Sequence, residues 1–122
     1  MSILGTNSTN NGVNGHVYAL AMNGTNNLFV GGSFTSVDGS SISANYITSW
    51  DGNSWNILGS NSTNNGVNGW VHALAMNGTN NLFVGGAFSS VNGGSILPII
   101  SYLGMEIYGI YWDQIQQLME LE

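Results

Sequence analysis

Residues 3–42 of this chain are written a second time as residues 57–96, 54 positions later, with seven of forty positions changed. ILGTNSTNNGVNGHVYALAMNGTNNLFVGGSFTSVDGSSI becomes ILGSNSTNNGVNGWVHALAMNGTNNLFVGGAFSSVNGGSI. Whatever local structure the first copy adopts, the second must adopt as well, so the chain is an array of supersecondary units rather than a single irregular fold. The second copy also serves as a control, because a residue with an individual chemical role should not be exchanged freely between copies.

Within one period the apolar runs are short, rich in aromatic and β-branched residues, and separated by Gly and Asn clusters. That pattern predicts an all-β chain of short strands and tight turns. Four strands fit one period, at 16–22, 28–34, 45–50 and 55–58, with the first two recurring at 70–76 and 82–88. Asn23-Gly24, Asp38-Gly39, Asp51-Gly52, Asn77-Gly78 and Asn92-Gly93 fall between strands. These dipeptides tolerate the positive φ angles of hairpin turns. The first strand, HVYALAM, is apolar or aromatic at nearly every position, which predicts cover on both of its faces. Gly31-Gly32 and Gly85-Gly86 close the second strands, where a close backbone approach is expected.

The string LFVGG, followed later by the tryptophan of SWNILG, resembles the kelch-type propeller repeat. The longer text VYALAMNGTNNLFVGGSFTSVDG and NYITSWDGNSWNILG is closer to the propeller repeats of the fungal cortical polarity-marker family and related bacterial and viral surface proteins. The resemblance spans residues 3–96. It implies antiparallel four-stranded β-propeller blades in a surface or secreted protein and brings no catalytic residue with it. On that reading residues 1–15 end a preceding blade, 16–69 form one full repeat, 70–96 begin a second, and 97–122 are a divergent tail.

The tail should read SANYITSWDGNSWNILG but reads LPIISYLGMEIYGIYWDQIQQLMELE. Joining the last base of each codon to the first two of the next gives forced answers at four junctions. Met105-Glu106, Trp112-Asp113 and Met119-Glu120 must yield glycine, and Tyr111-Trp112 must yield leucine. The repeat has Gly52, Gly59, Gly66 and Leu58 at those places, so residues 97–122 are expected to be the next repeat read out of frame. Residues 113–120 have the spacing of a short helix, with Ile115, Leu118 and Met119 on one side. Met1 falls at the position of Trp55, which marks the chain as a slice of a longer array.

Composition removes whole classes of function. There is no Lys or Arg and the formal net charge is −6, so phosphates of nucleic acid or anionic lipid find no ion-pair partner. Four of the six acids (Glu106, Asp113, Glu120, Glu122) lie in the tail, leaving the repeats nearly uncharged. Without cysteine there are no disulfides, thiolate metal sites or cysteine nucleophiles. The start has neither the charge nor the apolar stretch of a signal peptide, and no apolar run is long enough to span a membrane as a helix.

Candidate site residues are few, and none is catalytic, cofactor-binding or metal-ligating by its pattern. His16 aligns with Trp70 and His72 with Tyr18, so both histidines read as aromatic-sized fillers between blades. Asp38 is replaced by Asn92, and neither Asp38 nor Asp51 belongs to the acidic cluster a hard cation needs. NNGVNG lacks the lysine and helix of a phosphate loop. Asn7, Asn23, Asn61 and Asn77 each begin an Asn-x-Ser/Thr sequon and are the candidates for N-glycosylation. Trp50, Trp55 and Trp70 are candidates for stacking on a sugar ring, against a role as packing anchors.

These readings converge on a non-catalytic binding or adhesion scaffold, with a truncated fragment lacking independent activity and a lectin-like propeller as the alternatives. Two repeats cannot close a ring of about four to eight blades. The expected partners are therefore another copy or flanking blades, with a glycan or protein as ligand.

Overall fold

The computed structural model of the chain describes residues 11–23, 27–40, 42–59, 65–78, 81–88, 99–102 and 105–111. Among these residues there are ten strands and no helix, so the chain is all-β. The expected helix at 113–120 and the turn at Asn92-Gly93 lie outside the described residues.

The first repeat builds one antiparallel sheet. It contains β1 (Val17–Met22), β2 (Leu28–Gly32), β5 (Ile47–Trp50) and β6 (Trp55–Asn56), hydrogen-bonded in the order β1-β2-β5-β6. All four strands fall within the spans read from the sequence, with shorter ends. An element that period-two patterning did not reveal is the small hairpin of β3 (Ser36–Val37) and β4 (Ile42–Ser43). Asp38 and Gly39 turn that hairpin at φ 57° and 71°, the left-handed geometry that Asp-Gly supplies.

The second repeat begins the same sheet again with β7 (Val71–Asn77) and β8 (Asn81–Gly86). The register repeats to the residue: Ala21 pairs with Phe29 as Ala75 pairs with Phe83, and both pairs of strands shift register two residues into their first strand. From there the tail takes over. β9 (Ile99–Tyr102) and β10 (Met105–Tyr111) complete a sheet of order β7-β8-β10-β9. β10 occupies the place of β5 but runs parallel to β8, where β5 runs antiparallel to β2. Ile107 pairs with Leu82 where Trp50 pairs with Leu28, so an apolar residue again stands at that register position.

Because side chains alternate across a strand, each sheet has a forward and a rear face. Phe29, Gly31 and Ile47 share the forward face of the first sheet; Leu20, Met22, Leu28, Val30 and Trp50 share its rear face. The main core joins the forward face of the first sheet to the rear face of the second. Phe29, Ile47, Leu82, Val84 and Ile107 are buried there, with Ala21, Leu74 and Met76 packed against them. A second cluster forms where Val30 and Trp55 meet Phe34, Val37 and Ala44.

The double glycines are required by two different approaches. A Cβ on Gly32 would strike the His16 carbonyl, and one on Gly86 the Trp70 carbonyl, so the edge strand lies too near for any side chain. A Cβ on Gly31 would instead strike the Val71 side chain of the facing sheet. Val71 is thus a knob seated in a notch that only glycine leaves open.

The expectation that the first strand is covered on both faces is not met. Leu20 and Met22 are 60 % and 56 % exposed, and Val17 and Tyr18 are exposed as well. The physical reason is that β1 is an edge strand whose rear side stays open, while the β3–β4 hairpin covers Val30 and Trp55 farther across the same face. In β7 the equivalent Leu74 and Met76 are packed, because the first sheet lies on them.

Candidate functional site

The asparagine-rich segment NNGVNG shapes the surface on which any site must stand. In the second copy, Asn65 is buried, and its Oδ1 accepts from the Asn45 amide at 3.2 Å while its Nδ2 donates to the Ser43 carbonyl at 3.0 Å. The Asn45 side chain donates in return to the Asn65 carbonyl at 3.1 Å. In the first copy, Asn14 Oδ1 accepts from the amides of Thr35 and Ser36 at 2.8 and 3.0 Å. These side chains satisfy backbone groups that no strand pairs, which is why the loops are built from asparagine. A polar depression of about 340 Å³ opens beside this latch, lined by Asn11, Gly12, Val13, Asn14, Ser36, Gly39 and Ser40. No titratable side chain lines it.

Edge strands β1 and β7 lie side by side and bring four rings together. Tyr18 and His72 stack with centroids 5.3 Å apart and planes 24° from parallel. His16 also stacks on Tyr18, at 6.1 Å, Trp70 tilts against Tyr18 at 6.1 Å, and Trp70 meets His72 edge-on at 6.3 Å. All these separations lie in the range of favourable aromatic pairing. The row is open to solvent: Tyr18 is 42 % and Trp70 49 % exposed, and both histidines are exposed. His16 and His72 therefore do not fill space between sheets as the sequence suggested. They exchange places with Trp70 and Tyr18 across the repeat because all four positions belong to one surface row.

The three candidate tryptophans separate. Trp55 is buried and Trp50 packs with it in the second cluster, their rings edge-on at 5.2 Å, so both are anchors. Of the three, Trp70 is the exposed one. Of the sequons, Asn7 and Asn61 lie outside the described residues, and Asn77 ends β7. Asn23 is buried and closes the β1–β2 turn: its Oδ1 accepts from the Asn27 amide at 3.0 Å, and its own amide donates to the Asn27 carbonyl at 3.1 Å. A glycan on Asn23 would require that turn to open.

The two repeat-region acids serve turns. Asp51 Oδ1 accepts from the amides of Ser54 and Asn53 at 2.7 and 2.8 Å, and Oδ2 from the side chains of Asn56 and Ser54. The Ser54 and Asn53 amides, with help from Asn56, lower its pKa to about 2. Asp38 is buried in the β3–β4 turn, its amide donating to the Gly12 carbonyl at 2.8 Å. Among the described residues, no three His, Cys, Asp or Glu side chains gather as a metal site would need. Nor is any described helix long and apolar enough to cross a membrane.

No family model, curated protein or solved structure matches the chain.

Proposed function

We propose that this chain is a non-catalytic binding or adhesion scaffold built from β-propeller blades, of the kind found in surface and secreted proteins. The up-and-down β1-β2-β5-β6 sheet, repeated in register by β7 and β8 and stacked face to face, supports the blade reading. The observation that carries the function is the exposed ring row of His16, Tyr18, Trp70 and His72. Its members come from two repeats, so the row exists only where blades lie side by side.

An exposed tyrosine and tryptophan offer flat apolar faces, and the phenol and imidazoles beside them offer donors and acceptors. That combination suits a neutral glycan, whose ring faces are weakly apolar and whose rim is hydroxylated. With no Lys or Arg in the chain, acidic ligands would find no cation to pair with. The test is a screen of the full chain against a glycan array, followed by titration of tryptophan fluorescence. Binding lost on Trp70→Ala and retained on Ser54→Ala supports the reading. Binding unchanged by Trp70→Ala, or no binding to any glycan, overturns it.

A second reading, a fragment of a longer repeat protein with no activity of its own, is favoured by the exposed apolar side of β1 at Leu20 and Met22. It predicts silence on the array and gain of binding when flanking repeats are restored.

A further inference from the structure

We propose that the β1 side of the rear face of the first sheet, which the β3–β4 hairpin leaves open, is a docking face for the forward face of the second sheet of another copy of this chain. What covers such a face is already visible inside the molecule, since the first sheet's forward face packs on the second sheet's rear face. The repeat then shows which residues lack their partner. Leu74 and Met76 are packed against the core, whereas their twins Leu20 and Met22 are 60 % and 56 % exposed. The forward faces differ in the opposite sense. Ala21 is packed and Phe29 fully buried, while their twins are exposed at Ala75 and only half-buried at Phe83.

The knob and notch repeat the same asymmetry. Val71 fills the space beside Gly31, yet the twin notch at Gly85 is open, its nearest neighbour being the Ala73 Cβ at 4.0 Å. The twin knob, Val17, is 43 % exposed. Val17 of one copy and Gly85 of another thus complete a contact that the chain makes once internally. β10 preserves the face rather than blocking it. Ile110 pairs with Gly85 as Ile47 pairs with Gly31, and Tyr108 lies against Phe83 at 5.3 Å.

The two faces are different surfaces, so the contact is head-to-tail and repeats until a ring closes or a filament grows. A ring of about four to eight sheets corresponds to about two to four copies. This inference does not depend on the ring row binding a glycan.

Sedimentation velocity on the full chain over a concentration series tests it. The wild type should sediment as two or more chains. Leu20→Glu blocks the rear face and Ala75→Glu the forward face; each alone should sediment as a monomer, with circular dichroism showing an intact β spectrum. Mixed in equal amounts, the two variants should form a one-to-one dimer and nothing larger, because each retains the face that the other lacks. Leu20→Gln and Ala75→Gln replace either variant that fails to fold. A monomeric wild type overturns the proposal, as does a mixture that stays monomeric, or one variant that dimerises by itself.

Discussion

The two copies of Phe offer a measurement in which sequence is held constant and only cover changes. Phe29 is fully buried between the sheets, and Phe83, its twin 54 residues on, is half-buried on the open forward face against Tyr108. Phe29→Ala removes the ring from a closed core and leaves a cavity that rigid strands on both sides cannot fill, a loss of about 3–5 kcal/mol. Phe83→Ala forfeits about half of a side-chain burial worth about 1.5–3 kcal/mol, plus an aromatic pair worth about 0.5–1.5 kcal/mol, and creates no closed cavity. The expected loss there is about 1.25–3 kcal/mol. An unfolding entropy of about 2.1 cal/mol/K per residue over 122 residues makes 1 kcal/mol about 4 °C in Tm. Phe29→Ala should therefore lower Tm by roughly 12–20 °C and Phe83→Ala by roughly 5–12 °C. Both are measured by urea and thermal denaturation in the Leu20→Glu background, where head-to-tail association is blocked and cannot cover Phe83. Equal losses at the two sites would refute the assignment of the core to the space between the sheets.

The glycine twins should diverge in the same way. Gly31→Ala collides with Val71 and is expected to lower stability by about 1–3 kcal/mol, the usual cost of overpacking, while Gly85→Ala points into open space within one chain and changes stability by no more than about 0.5 kcal/mol, both by thermal denaturation in the Leu20→Glu background. Asn65→Ala strips a buried latch from the Asn45 amide and the Ser43 carbonyl and should cost about 1–3 kcal/mol in urea titration. The exposed latch of Asn14 should cost less on the same change, with water replacing its bonds. Asp51 titrates below its ordinary value of 3.8, at about 2. A carboxylate with a depressed folded pKa adds stability above the unfolded value and loses it as pH falls through the folded one. Between about pH 4 and 2 the turn at Asp51–Ser54 should therefore loosen, seen as a carboxyl NMR shift with a midpoint near 2; a midpoint near 4 would contradict the turn's hydrogen bonds.

Strand positions were legible because each depends on short-range chemistry. Short apolar runs and Asx-Gly turns act within a few residues, and the structure places β1, β2, β5 and β6 inside the spans they mark, with β7 and β8 each overrunning theirs by one residue. The β3–β4 hairpin was not legible, since two-residue strands leave no periodicity to detect. Nor was the use of β10, a tail strand that pairs in parallel with β8 because an open sheet edge accepts any strand of suitable pattern. Of the site residues, Trp70 is exposed while Trp50 and Trp55 pack in the second cluster, a difference that residue type does not carry. His16 and His72 read as interior filler in the sequence because the repeat equates them with aromatic residues without saying which side of the strand is covered.

The sequence by itself determined that one unit occurs twice, that the unit is a set of short strands, and that recognition of anions by Lys or Arg is excluded. The repeat fixes only what is common to both copies. Every difference between twins is tertiary: Leu20 exposed and Leu74 packed, Gly31 filled and Gly85 open, and four rings from two repeats meeting in one row. Burial depends on which sheet lies against which face, a relation between residues far apart in the chain. Identical text cannot encode that the first copy has a neighbour on one side and the second on the other.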